Sequence, residues 1–167
     1  MRFTESGLRS VAKIFSSPTT AQCLGALLKS AGRAVLERIA ESNEAGKDFA
    51  FETTLSGRTY LPLLRDVRKT GFRLHMFYLW IPSPELAFLR IRYRIESGGH
   101  NMPDRDVRRR FTRSLGNLLR LYRPLLDTLH LFDNSSDTPC LTFEDEACQT
   151  TINDGALYEP LRGQFAP

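Results

Sequence analysis

Three groups of residues carry the types and spacing that chemistry needs. The first is Phe51-Glu52-Thr53-Thr54-Leu55-Ser56-Gly57-Arg58. A carboxylate such as Glu52 can hold a Mg2+-bound water or accept a hydrogen bond from a substrate hydroxyl. Thr53 and Thr54 add hydroxyl donors, Gly57 lets a ligand come close to the backbone, and Arg58 supplies a cation. The same string also describes a strand ending in an ordinary turn. The second group is Arg90, Arg92 and Arg94, then Gly98-Gly99-His100, then Arg108-Arg109-Arg110 and Arg113. Guanidinium forks suit the spread charge of phosphates, and Gly98-Gly99 reads as a hinge between two basic helices that close as a lid. Successive helix residues point about 100° apart, so at most one or two of Arg108, Arg109 and Arg110 face one ligand. The plainer alternative is a solvated basic helix pair. The third group is Leu131-Phe132-Asp133-Asn134-Ser135, a strand and Asx turn able to line a base pocket. Unaided, it reads better as a hairpin turn.

The elements that must hold these groups emerge from periodicity. Leu24, Leu27, Leu28, Ala31, Val35, Leu36 and Ile39 recur at steps of three and four, which predicts an amphipathic helix from Thr20 to Ser42. Phe49-Ala50-Phe51 predicts a short buried strand that delivers Glu52, Thr53 and Thr54 at its end. Thr59 to Thr70 reads as a helix with Leu61, Leu64 and Val67 on one face, closed by Gly71. Phe72 to Ile81 is the best strand, its continuous apolar character suiting a parallel sheet buried on both faces. Ser83-Pro84 opens a helix to Glu96, and a longer helix starts at Asp104 with the stripe Val107, Phe111, Leu115, Leu118 and Tyr122 until Pro124 bends or ends it. His130 to Asp133 is a short strand, with Cys140 to Phe143 beside it. The first 30 residues and those beyond Ala147 show no clear pattern. Alternating strands and helices predict an α/β architecture, with ligands at the carboxyl ends of the strands.

Composition bounds the rest. The chain has 167 residues, enough for one domain with a sizeable core. No stretch approaches the roughly 20 apolar residues of a membrane helix, and Met1 to Ser17 lacks the apolar region of a secretory signal. Cys23, Cys140 and Cys148 match no metal motif, nor do His75, His100 and His130, so reduced thiols in a cytoplasmic protein are expected and no metal site. The net charge of +4 divides unevenly: +1 over residues 1–57, +10 over 58–123 and −7 over 124–167. A middle this basic suits an anionic partner or is neutralised by the acidic tail.

Taken together, the motifs resemble one family. Phe49 to Arg58 is similar to the strand and substrate loop of bacterial zeta-toxin-type P-loop kinases, and so is Leu79-Trp80-Ile81-Pro82-Ser83-Pro84-Glu85. Arg94 through Gly98-Gly99-His100-Asn101-Met102-Pro103 resembles the family's lid, Arg108-Arg109-Arg110-Phe111 its continuation, and Leu131 to Ser135 the loop near the nucleotide base. The match runs in family order from Gly32 to Asp145. It implies a phosphotransferase using ATP or GTP with Mg2+, acting on a sugar nucleotide such as UDP-N-acetylglucosamine, with an antitoxin protein as a further partner. It implies substrate contacts from Glu52, Thr53, Thr54, Gly57 and Arg58, nucleotide contacts from Arg94, Arg108, Arg109 and Asn134, and Arg94 and Arg109 as catalytic arginines.

The departures carry equal weight. A phosphate-gripping loop reads Gly, four residues, then Gly-Lys-Ser/Thr, and no such string occurs; Gly46-Lys47-Asp48 is the nearest. The family's catalytic Asp precedes the region matching Gly32, whereas the first Asp here is Asp48. The expectation is a three-layer, mostly parallel P-loop-type sheet with flanking helices and an arginine-rich lid, missing its first strand and P-loop. Residues 1–30 form a divergent segment, 31–146 the kinase-like domain and 147–167 a tail. Such a chain is expected to transfer no phosphate. The alternatives are a binding protein for a sugar nucleotide or a protein, and, with less support because no aromatics interleave the basic run, a nucleic-acid-binding module.

Overall fold

The computed structural model describes residues 11–16, 25–96, 98, 102–146 and 149–163. The elements are β1 (Val11–Ser16), α1 (Gly25–Glu44), β2 (Phe49–Thr53), α2 (Tyr60–Lys69), β3 (Arg73–Trp80), α3 (Pro84–Glu96), α4 (Asp104–Asn117), β4 (Thr128–Asp133), β5 (Cys140–Glu146), β6 (Gln149–Ile152) and α5 (Gly155–Gly163). A π-helical turn, Leu118–Tyr122, and a 3-10 turn, Arg123–Leu125, extend α4.

The strands form one six-stranded sheet in the order β2-β1-β3-β4-β5-β6. β2, β1, β3 and β4 are parallel, while β5 and β6 are added antiparallel. The sheet does not lack a strand where one was expected to be missing: Val11–Ser16 stands between β2 and β3, hydrogen-bonded to both. One sheet thus draws strands from residues 1–30, 31–146 and 147–167 alike.

The core lies where helix stripes meet one sheet face. Ile39 of α1, Leu61, Leu64 and Val67 of α2, Leu115, Leu118 and Tyr122 of α4 and its extension, and Leu161 of α5 pack on Ile14, Phe51, Leu74, Met76, Tyr78, Leu129, Leu131 and Phe143. Those strand residues share one face because side chains alternate along a strand. The opposite face, with His75, Phe77, Leu79, His130 and Phe132, is half-buried. Three layers were expected; among the described residues the main core has helices on one face of the sheet. A second, smaller core of Ile81, Ala87, Ile91 and Val107 joins α3 to α4 at the carboxyl end of β3. Pro124 ends the long helix as its sequence predicts, since it cannot donate to the ladder.

Candidate functional site

The carboxyl ends of the parallel strands lie side by side. Ser16 pairs with Thr53 and with Tyr78, and Trp80 pairs with Asp133. The loops after β2, β3 and β4 therefore leave one edge of the sheet, where open parallel sheets hold their ligands. Glu52 is exposed near the end of β2, with Thr53 and Thr54 half-buried behind it. A groove of about 580 Å³ runs along β2 between Val35, Ile39, Phe49 and Phe51 and reaches Glu52, a volume within the usual range for small-molecule sites.

The loop after β2 is held in an unusual shape. Leu55 is buried with φ of 52°, a left-handed conformation rare for a branched side chain. Such strain costs on the order of 1–2 kcal/mol and persists only where surroundings impose it. Four hydroxyl and amide groups impose it here. The Ser114 hydroxyl donates to the Thr54 carbonyl at 2.6 Å, the Asn117 amide to the Leu55 carbonyl at 2.7 Å, and the Tyr122 hydroxyl to the Gly57 carbonyl at 2.9 Å. The Tyr78 hydroxyl in turn donates to Ser114 at 2.9 Å. Within the loop, the Leu55 amide donates to the Thr53 hydroxyl oxygen at 3.2 Å, and the Thr54 and Ser56 hydroxyls meet at 2.9 Å. Among the described residues the Thr53 hydroxyl accepts the Leu55 bond and makes no donation.

Burial keeps both tyrosines protonated. Tyr78 is raised far above the ordinary phenol range by burial, with its Ser114 bond opposing the rise. Tyr122 is pushed up to about 12 by burial and by Tyr60 nearby, and Tyr60 is itself raised by burial. At neutral pH each remains a neutral donor.

The arginines separate into distinct roles. Arg108 lies over the Phe88 ring at 5.0 Å and 3.4 Å from Glu85, which ties α4 to α3. Arg109 pairs with Asp106 one turn back at 3.1 Å. By helix geometry Arg109 lies about 140° around α4 from Ser114, away from the loop. Arg110 lies about 40° from Ser114 and about 20° from Asn117, on the face that grips the loop. It is half-buried between the buried Val107 and Ser114 and makes no ion pair among the described residues. Of the three, Arg110 thus lies on the face of α4 that meets the loop after β2, whereas Arg109, named in the sequence reading, lies on another face. Arg94 is half-buried on α3, and Arg58 and Gly57 are exposed past the loop. Gly98 ends α3 with φ of 88° and donates to the Ile95 carbonyl at 2.9 Å, while Gly99, His100 and Asn101 lie outside the described residues.

The third group forms a turn. The Asp133 carboxylate accepts from the Ser135 amide and hydroxyl, both at 2.9 Å, and β4 passes antiparallel into β5. Asn134 is half-buried, its amide donating to the Trp80 carbonyl at 2.8 Å. Arg90 reaches the Ser136 carbonyl at 3.3 Å, which brings α3 to the same edge.

The acidic tail neutralises a different surface. Asp145 meets Arg123 at 2.6 Å, Glu146 approaches Arg73 at 3.9 Å, and Asp127 approaches Arg68 at 4.0 Å. These pairs sit at the amino ends of β3 and β4, the far edge of the sheet. Among the described residues the tail makes no ion pair with the arginines of α3 and α4.

Sequence reasoning missed Ser114, Asn117 and Tyr122 as a unit. A signal was present: Ser114 falls on the stripe of Val107, Phe111, Leu115 and Leu118, and a polar group on a buried face requires a partner.

The residues do not fit the triphosphate donor implied by the resemblance. A cradle would come after β1, but residues 17–24, which lie outside the described residues, contain neither glycine nor lysine. Gly46-Lys47 turns from α1 into the amino end of β2, at the opposite edge from Glu52. Among the described residues no group of three or more His, Cys, Asp or Glu gathers to hold a cation.

No protein-family profile matches the chain. An uncharacterized protein of Haemophilus influenzae is 33% identical over 63 residues, which is 38% of this chain and 45% of that protein. Among solved structures, the AvrRxo1-ORF1:AvrRxo1-ORF2 complex with sulphate ions aligns over 91% of this chain and 63% of its own, at 12% identity and a TM-score of 0.66. The PezAT chromosomal toxin-antitoxin system of Streptococcus pneumoniae aligns over 99% of this chain and 83% of its own, at 14% identity and a TM-score of 0.57. The chain thus spans less than two-thirds of the Haemophilus protein and of the AvrRxo1 chain, and shares the α/β fold of the two solved structures.

Proposed function

We propose that this chain keeps the acceptor side of a zeta-toxin-type phosphotransferase, binds a sugar nucleotide such as UDP-N-acetylglucosamine, and transfers no phosphate as it stands. The observation that carries this reading is the loop after β2, held in a strained shape at the carboxyl edge of a parallel sheet with Glu52 exposed beside it and Arg110 on the helix face above. Glu52 accepts a hydrogen bond from a sugar hydroxyl, the Thr53 hydroxyl donates to the sugar, and Arg110 forks onto the diphosphate. Arg94 and Arg58 add positive charge at the rim, and Asn134 offers an amide near the turn after β4. ATP or GTP with Mg2+ would supply the transferable phosphoryl group, yet the segment after β1 has neither the glycines nor the lysine to grip it.

A protein partner belongs to the same reading, because the two solved structures described above come from paired systems, one of them a toxin with its antitoxin. No helix among the described residues is long and apolar enough to cross a membrane.

Titration calorimetry with UDP-N-acetylglucosamine tests the site. Glu52→Ala and Arg110→Ala are each expected to weaken binding about tenfold or more, as charged hydrogen bonds contribute roughly 1.5–3 kcal/mol. Unchanged affinity in both variants would remove the acceptor assignment.

A further inference from the structure

Ser114, Asn117 and Tyr122 hold three carbonyls of a four-residue stretch, those of Thr54, Leu55 and Gly57. An uninterrupted α-helix would spread the three over about 140° of its surface. Ser114 and Asn117 lie about 60° apart, but Tyr122 would lie about 80° from Ser114 on its other side, about 140° from Asn117. The turn Leu118–Tyr122 is π-helical. One extra residue in a turn rotates the residues beyond it by about 100°, which returns Tyr122 to within about 40° of Asn117. The irregular turn and the three bonds are thus one device. Its target is the strained loop around Leu55, and its effect is to turn the loop carbonyls inward while Glu52, alternating with the buried Phe51, stays exposed.

The geometry points to Ser114, Asn117 and Tyr122 as positioning residues for acceptor binding, with the π turn setting the third contact. This rests on the reading that the end of β2 and the loop after it hold the sugar nucleotide. The clamp shapes the site through the loop and touches no ligand itself.

Asn117→Ala and Tyr122→Phe test it, with Arg68→Ala as comparison. Arg68 makes a similar bond to the Leu125 carbonyl, 2.6 Å long, at the far edge of the sheet. Two readouts are needed: amide hydrogen exchange across residues 54–58 and affinity for UDP-N-acetylglucosamine by calorimetry. Exchange is expected to quicken about tenfold in the two clamp variants and affinity to fall about tenfold, while Arg68→Ala changes neither. A merely structural role would lower the melting temperature of all three alike and leave affinity unchanged, which overturns the proposal. Unchanged loop exchange in both clamp variants overturns it as well. If the unmodified chain does not bind UDP-N-acetylglucosamine, the acceptor reading falls, and the exchange result alone decides whether the clamp exists.

Discussion

Ser114 receives a hydrogen bond from the Tyr78 hydroxyl and gives one to the Thr54 carbonyl, with no exposed surface of its own. Removing it leaves a buried donor and a carbonyl without their partner. Ser114→Ala is expected to cost about 1–3 kcal/mol in urea unfolding with an unchanged denaturant slope. Adding Tyr78→Phe should recover part of that loss, because the orphaned donor disappears with it. A Ser114→Ala cost below about 0.5 kcal/mol would show that water reaches the site. The arginine run divides at the same scale. Arg109→Ala removes only an exposed pair with Asp106 and should leave sugar-nucleotide affinity within about twofold, in contrast to Arg110→Ala. Equal losses for the two would contradict the helix-face assignment. The sequence offers Glu52, Thr53 and Thr54 as candidates, but it does not decide among Arg108, Arg109 and Arg110, because that depends on which face of α4 meets the loop.

At the scale of elements, the parallel strands and the helices between them were readable where the local pattern is strong. Phe72 to Ile81 announces β3 by its aromatic and apolar run, and Leu61, Leu64 and Val67 announce the buried face of α2. Val11–Ser16 was not readable. It is six residues long, contains Lys13, and gains its place in the sheet only from β2 and β3 on either side, a non-local effect that strand propensity misses. β6 and α5 have weak patterns for a similar reason and are fixed by contacts such as Tyr158 on Phe143, 5.2 Å between rings. The π turn was invisible because Leu118 to Tyr122 has ordinary helical composition. The buried phenols of β3 and of this turn give the fold an alkaline limit. Their folded values lie above the unfolded value near 10. Between those values the unfolded chain has released phenol protons that the folded chain retains, so rising pH favours unfolding. The urea midpoint is expected to change little from about pH 7 to 9 on account of these groups and to fall from about pH 10 towards 12. Tyr122→Phe should reduce the steepness of that fall, and an identical fall in the variant would contradict the assignment.

Across the whole molecule, charge and topology point to the same edge. The acidic tail pairs with Arg68, Arg73 and Arg123 at the amino ends of the strands, which leaves the basic character of α3 and α4 to the carboxyl edge where Glu52 and the Asp133 turn lie. The proposed phosphate-bearing ligand would meet its positive charge on that one side of the sheet. Residues 17–24, which follow β1, include no glycine and no lysine, the residue types a triphosphate cradle uses. The most direct measurement is a paired titration of the unmodified chain with UDP-N-acetylglucosamine and with Mg2+-ATP, completed by a search for phosphorylated sugar nucleotide. The account predicts saturable binding of the first, no binding of the second and no product. Tight Mg2+-ATP binding with turnover, or no binding of the sugar nucleotide, would contradict it.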